Sequence, residues 1–174
     1  MMGTEIKELE RVNEAGRLGE LYRRHAGDAA RLAYLITGDR ALAEDLAHEA
    51  FVRLIGRFRD LRNPESFEFY LRRTVVNLAR SHFRRRRVER AYLEGRARTD
   101  APAAGPAPDL GAREELWAAL QSLPERQRTA IVLRFYEDLS EARTAEVMRC
   151  PVGTVKSLVS RGLGRLRGVI PRSE

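Results

Sequence analysis

A segment with almost nothing to bury divides this chain into two parts. Residues 94–111 read EGRARTDAPAAGPAPDLG and hold three prolines and three glycines separated mainly by alanine. Because this composition cannot offset the entropy lost on ordering, we predict a flexible linker over 93–111. Two small domains, at 15–92 and 112–170, are therefore expected, and no repeat relates them.

The first part has the periodicity of α-helices. The first run of apolar residues ends at 37–39, where Asp39 is a plausible N-cap. Asn63 and Pro64 end the second run, and a third helix is predicted from about Glu65 to Arg90. Its predicted buried stripe comprises Phe67, Tyr70, Leu71, Thr74, Val75, Leu78 and His82.

A second face of the third helix is strongly basic. It carries, at steps of three or four, Arg73, Asn77, Arg80, Arg84 and Arg87. Such a run is often only a solvated face, and a codon preference could explain why 30 of the 32 basic residues are arginine. Codon preference does not explain the clustering, however, and Glu89 is the only acid late in the helix. Since crowded like charges destabilise a helix unless an anion compensates them, we expect phosphates to bind this face.

The second part is also predicted to be helical. Residues 122–125, SLPE, form a capping-box pattern before a helix that reaches about Tyr136. Buried positions in that helix are expected at Ala130, Ile131, Leu133 and Phe135.

Ser140 is expected to cap a short helix that ends near Met148, and a tight turn at 149–151 leads to a last helix over 152–169. This arrangement is that of a helix-turn-helix, although an ordinary helical hairpin has the same outline. Hydroxyl and basic side chains on the outer face favour a major-groove reader over a plain hairpin. The inner stripe would comprise Val155, Leu158, Val159, Gly162 and Leu166.

Composition argues against several other classes of protein. The net charge of +7 favours an acidic partner, with nucleic acid as the first candidate. One cysteine and three scattered histidines do not suggest a zinc site, and no cofactor is expected. No carboxylate cluster, HExxH or P-loop motif indicates an enzyme such as a nuclease. No apolar run approaches a membrane span and the N-terminus lacks a signal-peptide core, so we expect a soluble, cytoplasmic protein.

Two blocks of sequence resemble the sigma-70 family. Residues 123–166, from LPERQR through EDLS and CPVGTVKS to SRG and RLR, resemble region 4, most closely in its extracytoplasmic-function (ECF) group. AEDLAHEAFVRL resembles region 2.2, and SFEFYLRRTVVNLARSHFRRRR resembles regions 2.3 and 2.4. The resemblance implies an all-α fold of two small helical domains, a region 2 bundle and a region 4 helix-turn-helix.

The resemblance also implies a role for each block. The core-polymerase surface, toward the β′ clamp helices, would comprise Asp45, Glu49, Val52 and Arg53. The −10 element would be opened and read by Asn63, Phe67, Phe69, Tyr70, Arg73, Asn77, Arg80, Arg84 and Arg87. The −35 element would be read by Thr154, Lys156, Ser157, Ser160, Arg161 and Arg165, while another face of region 4 approaches the β-flap.

The residues themselves support strand opening, which needs apolar surfaces for unstacked bases and cations for the backbone. Phe67, Phe69 and Tyr70 stand beside the basic face, although some of these aromatics must belong to the core.

The chain departs from the family pattern at four positions. Tyr70 stands where tryptophan is usual, Ser81 where aspartate is usual, and Leu158 where arginine is frequent. Arg149 replaces the usual turn glycine, which costs ~1 kcal/mol if the backbone there is left-handed.

We therefore expect an alternative sigma factor, not an enzyme, that acts with core RNA polymerase on promoter DNA. The resemblance also implies an anti-sigma factor that holds the free protein by covering its polymerase-binding surfaces. The competing hypothesis is a regulator that binds duplex DNA through the helix-turn-helix without polymerase. That hypothesis leaves the basic third helix and the AEDLAHEAF block without a role.

Overall fold

All the regular secondary structure in the described residues is helical. The computed structural model describes residues 2–55, 64–94 and 112–169, with side chains described over 16–55, 66–93 and 114–168. No β-strand occurs in these ranges, which confirms the predicted all-α class. In chain order the helices are α1 (Met2–Thr37), α2 (Arg40–Ile55), α3 (Pro64–Glu94), α4 (Ala112–Ser122), α5 (Glu125–Ile131), α6 (Glu141–Met148) and α7 (Val152–Val169).

The break between α1 and α2 follows from two residues. Gly38 adopts a φ of 74° and its N–H donates to the carbonyl of Tyr34 at 2.8 Å, which ends α1. Asp39 then accepts, through Oδ1, a hydrogen bond from the N–H of Leu42 at 3.0 Å. The predicted N-cap at Asp39 is confirmed.

The N-terminal helices α1, α2 and α3 pack around a core of aromatic and aliphatic side chains. Phe51 and Phe67 are among its largest fully buried members, with ring centroids 5.8 Å apart. Their position is fixed by the stripes of α1 and α2, which bury Leu32, Ile36, Ala43, Leu46, Ala50 and Leu54.

The prediction that Tyr70 lies in the buried stripe of α3 is wrong. Tyr70 is 41% exposed, whereas Val76 and Ala79 are buried. The buried arc of α3 is displaced because this helix packs against α6 and α5 as well as against α1 and α2. Thr74 and His82 are half-buried for the same reason.

The C-terminal part begins with a helix that the sequence pattern did not predict. Helix α4 ends at Ser122, whose hydroxyl donates to the carbonyl of Ala119 at 2.7 Å. Ser122 therefore does not cap α5, and Pro124 takes the N-cap position without a side-chain hydrogen bond. The predicted capping box is wrong because its serine belongs to the end of the preceding helix.

A wider turn follows α5. Over Val132–Tyr136 the backbone forms a π-helical turn, in which the N–H of Glu137 donates to the carbonyl of Val132 at 3.0 Å. The extra residue in this turn rotates the next side chains outward, and Phe135 is 59% exposed. The expected burial of Phe135 is therefore wrong, whereas Ala130, Ile131 and Leu133 are buried.

The helix-turn-helix forms as predicted. Ser140 accepts a hydrogen bond from the N–H of Arg143 at 3.1 Å and caps α6. Arg149 ends that helix with φ 51° and ψ 55°, in the left-handed region. Helix α7 then crosses α5 closely, since a Cβ at the buried Gly162 would lie 2.5 Å from Cδ1 of Ile131.

The two parts of the chain pack against each other. The ring of Trp117 on α4 stacks on Tyr34 of α1, with the ring centroids 4.5 Å apart. Nε2 of Gln121, also on α4, donates a hydrogen bond to the carbonyl of Leu35 at 3.1 Å. One continuous core joins Val76 and Ala79 of α3 to Val147 and Met148 of α6. The segment 95–111, within which most of the predicted linker falls, lies outside the described residues.

Candidate nucleic-acid interface

The basic residues predicted to share one face of α3 are exposed or half-buried in the structure. Arg80, Arg84 and Arg87 are exposed, and Asn77 is half-buried beside them. Arg73 is half-buried, and its Nε has no hydrogen-bond partner among the described residues. One side of a cleft of about 930 Å³ is lined by Asn77, Arg80, Arg84 and Arg87.

The opposite wall of this cleft comes from the C-terminal part of the chain. Arg126 of α5 and Arg149 of the turn lie there, together with Glu125. We call the site formed by Arg80, Arg84, Arg87, Arg126 and Arg149 the arginine cleft. Arg126 was not among the predicted site residues, and Arg149 was predicted only as a departure from the turn pattern, since neither belongs to a basic stripe.

The aromatic residues beside the basic face fall into three environments. Phe67 is 1% exposed and packs in the core, so in this conformation it offers no surface to a base. Phe69 is half-buried, with the guanidinium carbon of Arg143 4.4 Å from its ring centroid. Tyr70 is exposed, and its ring meets that of Phe69 edge-on at 5.6 Å. Asn63 lies outside the described residues.

The α2 face that the family resemblance assigns to polymerase is exposed. Asp45, Val52 and Arg53 point outward, and Glu49 is half-buried in an ion pair with Arg53 at 2.6 Å. Val52 is 54% exposed. Ile55, which sequence analysis did not select, is also exposed beside it.

The outer face of α7 presents most of the side chains predicted to read −35 DNA. Lys156, Ser157, Ser160, Arg161 and Arg165 are exposed, and Thr154 is half-buried. Ser157 donates to the carbonyl of Gly153 at 3.0 Å, and Nε of Arg161 donates to the carbonyl of Ser157 at 3.1 Å. Local bonds therefore hold Arg161 along the helix.

The inner face of α7 includes Leu158, which stands where the family frequently has arginine. Leu158 is 5% exposed and belongs to the core. Because its side chain points away from the outer face, Leu158 does not change the set of groups that α7 presents to DNA. The predicted place of Leu158 in the inner stripe is confirmed.

A buried arginine joins the two walls of the interface region. Arg128 of α5 donates from Nη1 to the backbone oxygen and Oε1 of Gln121, both at 2.8 Å. Its guanidinium also lies 5.8 Å from the ring centroid of Phe83 on α3. Burial lowers the pKa of Arg128 from its ordinary value because desolvation disfavours the charged form, while Glu125 opposes this shift.

Within the described residues, no group of three or more histidine, cysteine, aspartate or glutamate side chains is placed to hold a metal ion. In the same part of the chain, none of the helices combines the length and the apolar character that crossing a membrane requires.

Comparisons with known proteins agree with the geometry. Residues 21–89 match the family described as "Sigma-70 region 2", and residues 113–166 match "Sigma-70, region 4". The chain is 32% identical over 149 residues to the RNA polymerase sigma-E factor of Streptomyces coelicolor, covering 85% of this chain and 83% of that protein. It is 30% identical over 149 residues to the ECF RNA polymerase sigma factor SigW of Bacillus subtilis, covering 79% and 80%.

A third relative is longer than this chain. The ECF RNA polymerase sigma factor SigE of Mycolicibacterium smegmatis is 37% identical over 170 residues, which cover 88% of this chain but 61% of the relative. Among solved structures, the sigma factor RpoE in its complex with the anti-sigma factor NepR from Bartonella quintana has the same fold. That match has a TM-score of 0.68 and 24% identity, and covers 90% of this chain and 98% of RpoE. This chain belongs to the sigma-70 family of RNA polymerase sigma factors, in its ECF group.

Proposed function

We propose that this chain binds core RNA polymerase and directs it to a subset of promoters through their −10 and −35 elements. The observation that carries the proposal is the presence of both family regions, each with an exposed basic face: α3 in region 2 and α7 in region 4. A regulator that used only the helix-turn-helix would need neither region 2 nor its basic face.

Region 2 has the groups needed to capture a separated strand. The arginines of α3 would hold the backbone phosphates, and Tyr70 and Phe69 would supply surfaces for unstacked bases. Phe67 is left out of this proposed surface because it is buried. Asn63 stays a prediction based on its loop position.

Region 4 would place α7 in the major groove at −35. The exposed serines and basic residues of its outer face can bond to phosphates and base edges, as such residues do in other helix-turn-helix proteins. The groups best placed to do so are the exposed side chains of Lys156, Ser157, Ser160, Arg161 and Arg165. Thr154 is half-buried and offers less surface to DNA.

The α2 face is the proposed polymerase surface. It combines exposed apolar side chains, Val52 and Ile55, with the charged pair of Glu49 and Arg53. Exposed aliphatic groups bordered by charges are typical of protein-binding surfaces. The β′ clamp helices are the proposed partner of this face, and the β-flap is the proposed partner of region 4.

An anti-sigma factor is a further proposed partner. RpoE of Bartonella quintana, which shares this fold, was solved in complex with the anti-sigma factor NepR. Such a protein would act on this chain by covering its polymerase-binding surfaces.

Promoter opening would require the two parts of this chain to separate. In the packed arrangement Arg143 of α6 covers one face of Phe69, and Arg72 of α3 forms an ion pair with Glu137. A base cannot stack on that face of Phe69 while Arg143 occupies it. We therefore propose that the packed form is the polymerase-free form.

Binding to promoter fragments with and without core polymerase tests the proposal. Fragments selected by the reconstituted complex should bind it tightly. They should bind the chain alone about a hundred-fold more weakly, the factor for an opened form that makes up about 1% of the free protein. Tight binding of the same duplexes by the chain alone, without any effect of core polymerase, would favour the stand-alone regulator.

A further inference from the structure

The arginine cleft joins residues that the proposed function does not bring together. Arg80, Arg84 and Arg87 come from α3, whereas Arg126 and Arg149 come from the C-terminal part of the chain. The cleft therefore exists only while the two parts are packed together. On an opened sigma factor, the same side chains would belong to separate surfaces.

The charges in the cleft are not balanced by the protein. None of these five arginines forms an ion pair with a carboxylate in the described ranges 16–55, 66–93 and 114–168. Arg53 also borders the cleft, but it is paired with Glu49. Glu125 is the single acid among the described lining residues. A concave site lined by one sign of charge concentrates its potential and attracts a counterion.

The backbone at Arg149 adds an independent observation. Its φ of 51° lies in the left-handed region, which glycine adopts without strain and arginine does not. The strained position nevertheless carries a guanidinium that lines the cleft. An outlier of this kind points to a role for the side chain that offsets the strain.

The chemistry of the lining selects the kind of anion. Guanidinium groups match phosphate oxygens in geometry and charge, and Thr74, Asn77 and Ser81 add polar groups beside them. No aromatic side chain is among the described residues that line the cleft, so none of those residues offers a base an aromatic ring to stack on. The volume of about 930 Å³ exceeds what a single phosphate would fill.

We propose that the arginine cleft binds an oligophosphate anion, a chain of three or more phosphates, and that the bound anion bridges the two parts of the free protein. The anion would hold α3 against α5 and the α6–α7 turn, and would leave when promoter DNA takes over the α3 arginines. Binding of the anion requires neither polymerase nor promoter, so its failure and the failure of the proposed function are distinguishable.

The test is calorimetric titration of the full chain with inorganic tripolyphosphate at constant ionic strength. We expect saturable binding of one tripolyphosphate per chain. The substitutions Arg126→Gln and Arg149→Gly should each weaken it by about ten-fold, the size of a lost charged hydrogen bond. Arg24→Gln, which removes an exposed arginine of α1 that does not line the cleft, is the matched control and should change the affinity by less than two-fold.

Two further measurements test whether lost binding reflects lost structure and whether the cleft recognises only phosphates. Urea unfolding of Arg149→Gly should show a folded protein, since glycine suits the backbone at that position, so lost binding there is not lost structure. ATP without magnesium should bind no more tightly than tripolyphosphate, because only its phosphates find partners. The proposal is overturned by non-saturable binding, by an equal loss in Arg24→Gln, by unchanged affinity in the Arg126→Gln/Arg149→Gly double variant, or by ATP binding ten-fold more tightly.

Discussion

At the scale of single residues, the most informative position is Arg149. The sequence alone shows that an arginine occupies a turn where the family usually has glycine, and the structure gives that residue a φ of 51°. The strain was therefore predictable once the turn had been recognised. Its location beside Arg126 and the α3 arginines was not predictable, because it depends on how the two parts of the chain pack.

Relief of this strain should be measurable. Arg149→Gly should raise the free energy of unfolding by about 1 kcal/mol, because glycine adopts the left-handed conformation without a steric penalty. Urea unfolding at fixed ionic strength measures the change. The control is Arg149→Ala, which removes the same charge but keeps the strain; an equal gain in both variants would attribute the effect to charge and contradict the argument.

Gly162 gives a second prediction at this scale. Gly162→Ala should be about 1–3 kcal/mol less stable than the matched Gly164→Ala, because only the Cβ at 162 would lie 2.5 Å from Cδ1 of the buried Ile131. Gly164→Ala, on the same helix with open space around it, should instead be neutral or stabilising. Thermal unfolding of both variants checks the contrast.

The origin of the Gly162 effect can be isolated with a second substitution. Ile131→Val removes the Cδ1 atom that the new methyl group would contact. Gly162→Ala should therefore destabilise the Ile131→Val protein less than it destabilises the unsubstituted protein. Purely additive effects of the two substitutions would show that this contact is not the cause.

At the scale of helices, local chemistry predicted most boundaries. The caps at Asp39 and Ser140 and the inner stripe of α7 follow from short patterns, and the structure contains all of them. Helix α4 was missed because its burial depends on distant partners such as Tyr34, which stacks on Trp117. The π-helical turn that exposes Phe135 also has no signal in the apolar periodicity.

The outer face of α7 carries a functional prediction for one element. Arg161→Ala should weaken binding of the reconstituted polymerase complex to duplexes with a −35 element by about ten-fold or more, the range for one lost phosphate or base contact. Its affinity for core polymerase should not change, because the side chain is exposed on the opposite side of α7 from the core.

A competition assay between labelled and unlabelled −35 duplexes measures this effect. Arg24→Ala removes an exposed arginine from α1 and serves as the control. If Arg161→Ala and Arg24→Ala bound the duplexes equally well, α7 would not be the proposed −35 reader.

At the scale of the whole molecule, sequence analysis divided the chain but did not reveal how the parts meet. The contacts of Trp117 with Tyr34 and of Arg143 with Phe69 join residues far apart in the sequence, whose pairing no local pattern indicates. The predicted stripe of α3 did not include Val76 and Ala79, which share a core with Val147 and Met148 of α6. The burial of these four residues follows only from the tertiary arrangement.

Trp117 is the single tryptophan of the chain, and this makes the packed form observable. If 5-hydroxytryptophan replaces Trp117, its fluorescence can be excited selectively in the presence of the tryptophans of polymerase. Because α4 must leave α1 if the two parts separate, binding to core polymerase should shift the emission to the red as the Tyr34 stack is lost. Tyr34→Leu should shift the emission of the free protein in the same direction, and an unchanged spectrum on polymerase would contradict the proposed opening.

The most direct test of the central claim is run-off transcription with purified core polymerase on a pool of genomic promoter fragments, followed by mapping of the 5′ ends. With this chain added, we expect discrete start sites preceded by two shared elements at a fixed spacing, absent with core alone. Arg161→Ala and the Arg84→Ala/Arg87→Ala double variant should each lose most of these transcripts. If adding the chain produced no start sites beyond those of core polymerase, its proposed role in promoter-specific initiation would be wrong.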